Sequence, residues 1–165
     1  MAGCDTRRED DSDNMGFFDT LKSRLGELQN RTTTEVGKYK SKDFAKASMA
    51  MCALIAAADG TITADERRKT AGFIGSNEAL KVFPPDELQN HFTFYASKLE
   101  SDFEFGKVEA IATISKLKKD PGAARAVIQV GIIIGGADGN FDKDEQQAVR
   151  EACLAVGIAP AEFDL

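Results

Sequence analysis

The sequence predicts an all-α protein, a single-domain bundle of about seven helices with an internal pseudo-two-fold helix-turn-helix duplication. Three observations lead there. Apolar residues recur with helical period from Met15 to the end. Proline, acids and small polar residues stand where helices should begin. No two segments alternate with period two, and the Val/Ile-rich stretch 127–134 is bracketed by helix caps. A chain of 165 residues, 42% hydrophobic and 29% charged, suffices for one domain with a proper core and is too short for two ordinary ones.

The elements follow in order. Residues 1–14 carry five acids, two arginines and no large apolar residue after Met1, so they hold −3 of the net −6 and no core material. The expectation is a disordered acidic tail ahead of a helical domain over 15–165. Phe17, Leu21, Leu25 and Leu28 then form an apolar stripe with Lys22 and Arg24 beside it. Packing onto the helical core is its expected use, with an anionic membrane surface as the alternative. A polar linker over 29–41 leads past Lys38 and Lys40 to Lys42, a small basic patch.

Residues 44–58 are Ala- and Met-rich and apolar nearly all round, which predicts a central, buried helix. The next, over 63–73, is charged along most of one side. Ser76 and Asn77 offer caps for a short turn through Leu80. Pro84-Pro85-Asp86-Glu87 opens a helix running to about Glu100. A helix over 103–117 turns Ile111, Ile114 and Leu117 inward. Asp120-Pro121 caps a second apolar helix over 122–137, and 142–156 closes the set. Phe92, Phe94, Phe103 and Phe105 are expected in the core.

Composition removes several functions. One histidine and no Cys-x-x-Cys pair among Cys4, Cys52 and Cys153 leave no zinc site to build. His91 has no Ser or Cys partner in any motif and reads as surface or half-buried packing. The negative net charge disfavours a nucleic-acid partner. The longest nearly apolar stretches, 48–58 and 126–137, fall short of the roughly 20 residues a bilayer needs. Scattered cysteines without a secretory signal fit a reducing cytoplasm. Cys52 and Cys153 lie on apolar helices and read as packed thiols, whereas Cys4 sits in the tail.

The sharpest feature is a repeat at an offset of 79 residues. Ala58-Asp59-Gly60-Thr61-Ile62-Thr63-Ala64-Asp65-Glu66 aligns with Ala137-Asp138-Gly139-Asn140-Phe141-Asp142-Lys143-Asp144-Glu145. Each copy follows an apolar helix and precedes an amphipathic one. Gly60 and Gly139 suit a left-handed residue after a helix, and Thr63 with Glu66 and Asp142 with Glu145 have capping-box spacing. Ile62 and Phe141 can tuck beneath the turns. Asp59 and Asp138 fit less well, since an acid in the last turn faces the negative end of the helix dipole. That repeated penalty suggests a compensating cation. The turns resemble the second half of an EF-hand loop, yet Ile55, Ala57, Ile134 and Gly136 occupy the places of its first two ligands. If the turns meet, Asp59, Glu66, Asp138 and Glu145 form one shared site for a divalent cation such as Ca²⁺ or Mg²⁺, with Asp65, Asp142 and Asp144 as outer support. A metal-dependent hydrolase is disfavoured, because no general base or phosphate-cradling glycine loop lies nearby.

The sequence resembles the bacterial tellurite-resistance protein TerB family. The likeness is carried by Met15-Gly16-Phe17-Phe18-Asp19, Val36-Gly37-Lys38-Tyr39-Lys40, the two Ala-Asp-Gly turns, Glu104-Phe105-Gly106-Lys107 and Pro160-Ala161-Glu162-Phe163. It implies an all-helical cytoplasmic protein of tellurite and chemical-stress resistance, with the paired acidic turns as a proposed metal site and no catalytic activity. It also implies integral-membrane and cytoplasmic partners of the same system, and so a place at the inner face of the membrane. The alternative is a membrane-surface adaptor whose acidic turns are purely structural.

Overall fold

The computed structural model describes residues 41–78, 80–137 and 139–165. Among these, six α-helices and no strand are found: α1 Lys42–Ala56, α2 Ala64–Ser76, α3 Pro85–Ser101, α4 Phe103–Ser115, α5 Pro121–Gly135 and α6 Lys143–Ala155. Two 3₁₀ turns, Lys116–Lys119 and Pro160–Phe163, follow α4 and α6. The expected seventh helix, over 15–28, lies outside the described residues, as do the acidic tail and the linker. Observed helix ends lie within three residues of the expected ones, and α4 starts at Phe103 as expected. Helix α5, for example, stops at Gly135 rather than Ala137, and Ser76 ends α2 rather than opening a turn.

Helix α1 is the hub. The Ser41 hydroxyl caps it by accepting the Phe44 N–H at 3.2 Å. Eleven of its fifteen residues are buried, and from Phe44 to Ile55 only Lys46 escapes. The helix packs on α3, α4 and α5, which together enclose it. Such a helix buries its whole circumference and draws its stability from neighbours rather than from amphipathicity.

Contacts at two glycines fix how α1 meets α5. A Cβ on Gly131 would stand 2.8 Å from the Met51 sulfur, and one on Gly135 would stand 3.7 Å from Ile55 Cγ2. Both contacts advance four residues in the same direction along each helix, so α1 and α5 run parallel and end side by side. Gly135 also lies under the Phe141 ring, with 2.7 Å between that ring and the same imagined Cβ. Phe141 is therefore the staple the repeat calls for, and Ile62, partly buried against the core, is its counterpart.

Helices α3 and α4 form an antiparallel hairpin. Asp102 ends α3 and caps α4, its carboxylate accepting the Phe105 N–H at 3.1 Å. Tyr95 and Thr113 share a buried hydroxyl hydrogen bond of 2.8 Å across the pair. At the corner, a Cβ on Gly106 would lie 2.6 Å from the Leu99 backbone nitrogen. The expected aromatic core is half right. Phe92 is buried and Phe103 partly so, but Phe94 and Phe105 are exposed. They sit on the outer side of this hairpin, where no third element covers them among the described residues. Gly106→Ala should lower stability by about 2 kcal/mol in urea unfolding, because backbone rather than a flexible side chain must yield.

Candidate functional site

The two Ala-Asp-Gly turns are built alike. After each parallel helix the chain reaches a glycine with positive φ, +96° at Gly60 and +79° at Gly139, where a side chain would be strained. Each then closes a complete capping box. Thr63 Oγ1 accepts the Glu66 N–H at 3.2 Å while Glu66 Oε2 accepts the Thr63 N–H at 2.8 Å. Asp142 Oδ1 accepts the Glu145 N–H at 2.8 Å while Glu145 Oε2 accepts the Asp142 N–H at 3.0 Å. In the second turn Gln146 adds a bond of 2.8 Å to the Phe141 carbonyl.

Because α1 and α5 end together, both turns leave the bundle at the same end. Asp59 is exposed there, and it lies three residues beyond the last residue of α1. Its Oδ1 accepts the Thr61 N–H at 3.1 Å. The dipole penalty expected at Asp59 is thereby replaced by a local role, since the carboxylate shapes its own turn. Asp138 lies outside the described residues. Asp65 pairs with Arg68 at the surface, and Asp142 and Asp144 are exposed. Glu66 and Glu145 are partly buried at the third positions of α2 and α6. Among the described residues, no group of three or more His, Cys, Asp or Glu side chains gathers as a metal ion requires.

The helices that follow the turns are held differently. Helix α6 buries Val149, Ala152 and Cys153. Helix α2 buries only Thr70, and Arg67 ties it to Glu100 of α3. His91 is half-buried, with Nε2 3.7 Å from Glu87. Both described cysteines are free and buried. Burial pushes the Cys52 thiol up to about 12, and burial together with the Glu162 charge pushes Cys153 up to about 11. Neither is poised as a nucleophile.

Two ion pairs that flank α4 carry no local sequence signature. Lys98 meets Glu109 at 2.9 Å, and Lys107 meets Glu151 at 3.4 Å. The one available signal was α4 itself, which has too few charges for a solvent-facing helix. No helix among the described residues is long and apolar enough to cross a membrane.

Residues 45–165 match the family described as tellurite resistance protein TerB. Over 118 residues the chain is 38% identical to the tellurium resistance protein TerB of an Alcaligenes species, an overlap of 72% of this chain and 97% of that relative. No solved structure matches.

Two outcomes follow from the geometry. In cation-free buffer, Thr63→Ala and Asp142→Ala should each cost about 1 kcal/mol of unfolding free energy, as lost caps do. The thiols set a pH dependence. With folded values near 12 and 11 against an ordinary value of 9.0, the unfolded chain loses thiol protons first. Stability from this source is intact below pH 9 and falls as pH rises toward 12, a slope that Cys52→Ala/Cys153→Ala should reduce in alkaline unfolding curves.

Proposed function

Because the chain belongs to the tellurite resistance protein TerB family, we propose that it serves tellurite resistance as a non-enzymatic module. In this role it binds a divalent cation between its two acidic turns. The observation that carries the reading is the parallel packing of α1 on α5, which delivers both turns to one end of the bundle. Asp59, Glu66, Asp138 and Glu145 are the proposed ligands, with Asp65, Asp142 and Asp144 adding negative field around them. Hard cations of the Ca²⁺ and Mg²⁺ kind take oxygen ligands, and carboxylates brought close repel one another until a cation neutralises them.

The capping boxes constrain this chemistry. Glu66 and Glu145 each commit Oε2 to a backbone N–H, so coordination would use their other oxygens or replace those bonds. A bound ion would join α2 to the better-anchored half of the molecule and bias docking on partners. The proposed partners are integral-membrane and cytoplasmic proteins of the resistance system, met in the cytoplasm or at the inner face of the membrane. A second reading, in which the turns are purely structural, is favoured by the local bond between Asp59 and Thr61.

Calorimetry with Ca²⁺, Mg²⁺ and Mn²⁺ on the intact protein and on Asp59→Asn/Asp138→Asn separates the two. The cation reading expects heat from the first protein and none from the second. It also expects about 3 kcal/mol of added stability at a hundredfold excess over Kd. Equal heats would remove the assignment and leave the turns as helix caps.

A further inference from the structure

Of the five large apolar side chains that stand exposed among the described residues, four surround the outward side of one helix. Phe105 (67% exposed) and Val108 (65%) lie on α4 itself. With Ala112, also exposed, they fall at i, i+3 and i+7 and form a continuous stripe. Phe94 (49%) lies on α3, one turn before Lys98, whose ammonium stands 4.8 Å from the Phe94 ring and binds Glu109 of α4. Leu154 (68%) lies on α6, one turn beyond Glu151, which Lys107 of α4 holds. The two ion pairs therefore fasten α4 to a neighbour on each side and leave its apolar outer face between them.

This face needs a cover, and the chain carries one of matching character. We propose that the segment 17–28 of the same chain docks on the outward face of α4, setting Phe17, Leu21, Leu25 and Leu28 against Phe94, Phe105, Val108 and Leu154. Three things single out this occupant. Forty residues precede Ser41, and the twelve between the segment and Ser41 reach roughly 40 Å when extended, enough to cross a domain of this size. A lone segment of this length is marginal as a helix in water and gains stability mainly by laying an apolar side on another surface. Tethering raises the local concentration of the segment above that of any second molecule at ordinary protein concentrations.

The test uses the full chain with Cys4→Ser and Lys22→Cys, so that a nitroxide attaches at position 22 while the buried, high-pKa thiols of Cys52 and Cys153 stay unmodified. In ¹⁵N-labelled, spin-labelled protein, the amide signals of residues 94, 105, 108, 112 and 154 should broaden several-fold more than those of α2. The effect should persist on tenfold dilution and disappear with Leu21→Asp/Leu25→Asp. A companion, Phe105→Asp/Val108→Asp, changes only exposed side chains and should abolish the same broadening while α1 signals stay in place. Comparable broadening in a mixture of spin-labelled ¹⁴N protein with unlabelled ¹⁵N protein would overturn the proposal in favour of a second copy. Uniform or absent broadening would overturn it outright, as would broadening that requires anionic phosphatidylglycerol vesicles.

Discussion

The close parallel contact between α1 and α5 is the constraint on which the rest of the structure depends. It exists because Gly131 places no side chain where Met51 approaches, while Gly135 leaves room for the Phe141 ring that closes over the helix end. A methyl group at either position would meet a sulfur or an aromatic ring well inside van der Waals distance. With the helices this near, α1 can be apolar around its full circumference, because α5 supplies one wall and the α3–α4 hairpin supplies another. The same contact fixes where both acidic turns emerge. Two turns on antiparallel helices would have opened at opposite ends, whatever their sequence similarity.

Within each turn, one set of atoms performs two tasks. The capping box satisfies backbone donors that every helix start leaves open, and it draws Glu66 or Glu145 back toward its own N-cap. Acids at a helix start are favoured by the dipole and need no ion to justify them. The repeat of acids is therefore a weaker argument for a cation than it looks in sequence. The emergence of both turns at the end where α1 and α5 stop together is the stronger one. Asp59 illustrates the distinction, since its carboxylate already has a use in holding Thr61.

Much of the fold was legible because it is written locally. Helix caps at Thr63, Asp120 and Asp142 are sequence signals with a mechanism, and each one opens a helix. The twin turns could be read for the same reason, down to the glycines and the buried Phe141. What could not be read is tertiary. The aromatic residues near the α3–α4 corner were assigned to the core because Phe usually goes there, but Gly106 brings the two backbones so close that Phe105 is turned outward. The ion pairs Lys98–Glu109 and Lys107–Glu151 join residues whose meeting depends on helix packing that no short pattern encodes. Convergence of the turns was likewise out of reach, since it rests on which residues of α1 face which residues of α5.

The duplicated unit is not used symmetrically. Helix α6 is set into the bundle by Val149, Ala152 and Cys153, while α2 fully buries only Thr70, packs Phe73 and Ile74 partly against the core, and adds its capping box and the pairing of Arg67 with Glu100. An element with so little buried surface opens at low cost, and local opening free energies track such burial. Any ligand that spans the two turns therefore acts on unequal partners. It meets a rigid half and a loosely held one, and its binding energy goes mainly into restraining α2. Restraint of α2 would leave the α1–α5 contact untouched, because that contact is made by Met51, Gly131, Ile55 and Gly135. On the proposed cation reading, that division favours a ligand that restrains α2 over one held in a rigid catalytic site, because catalysis requires a preorganised site and α2 buries the fewest side chains of the six helices among the described residues.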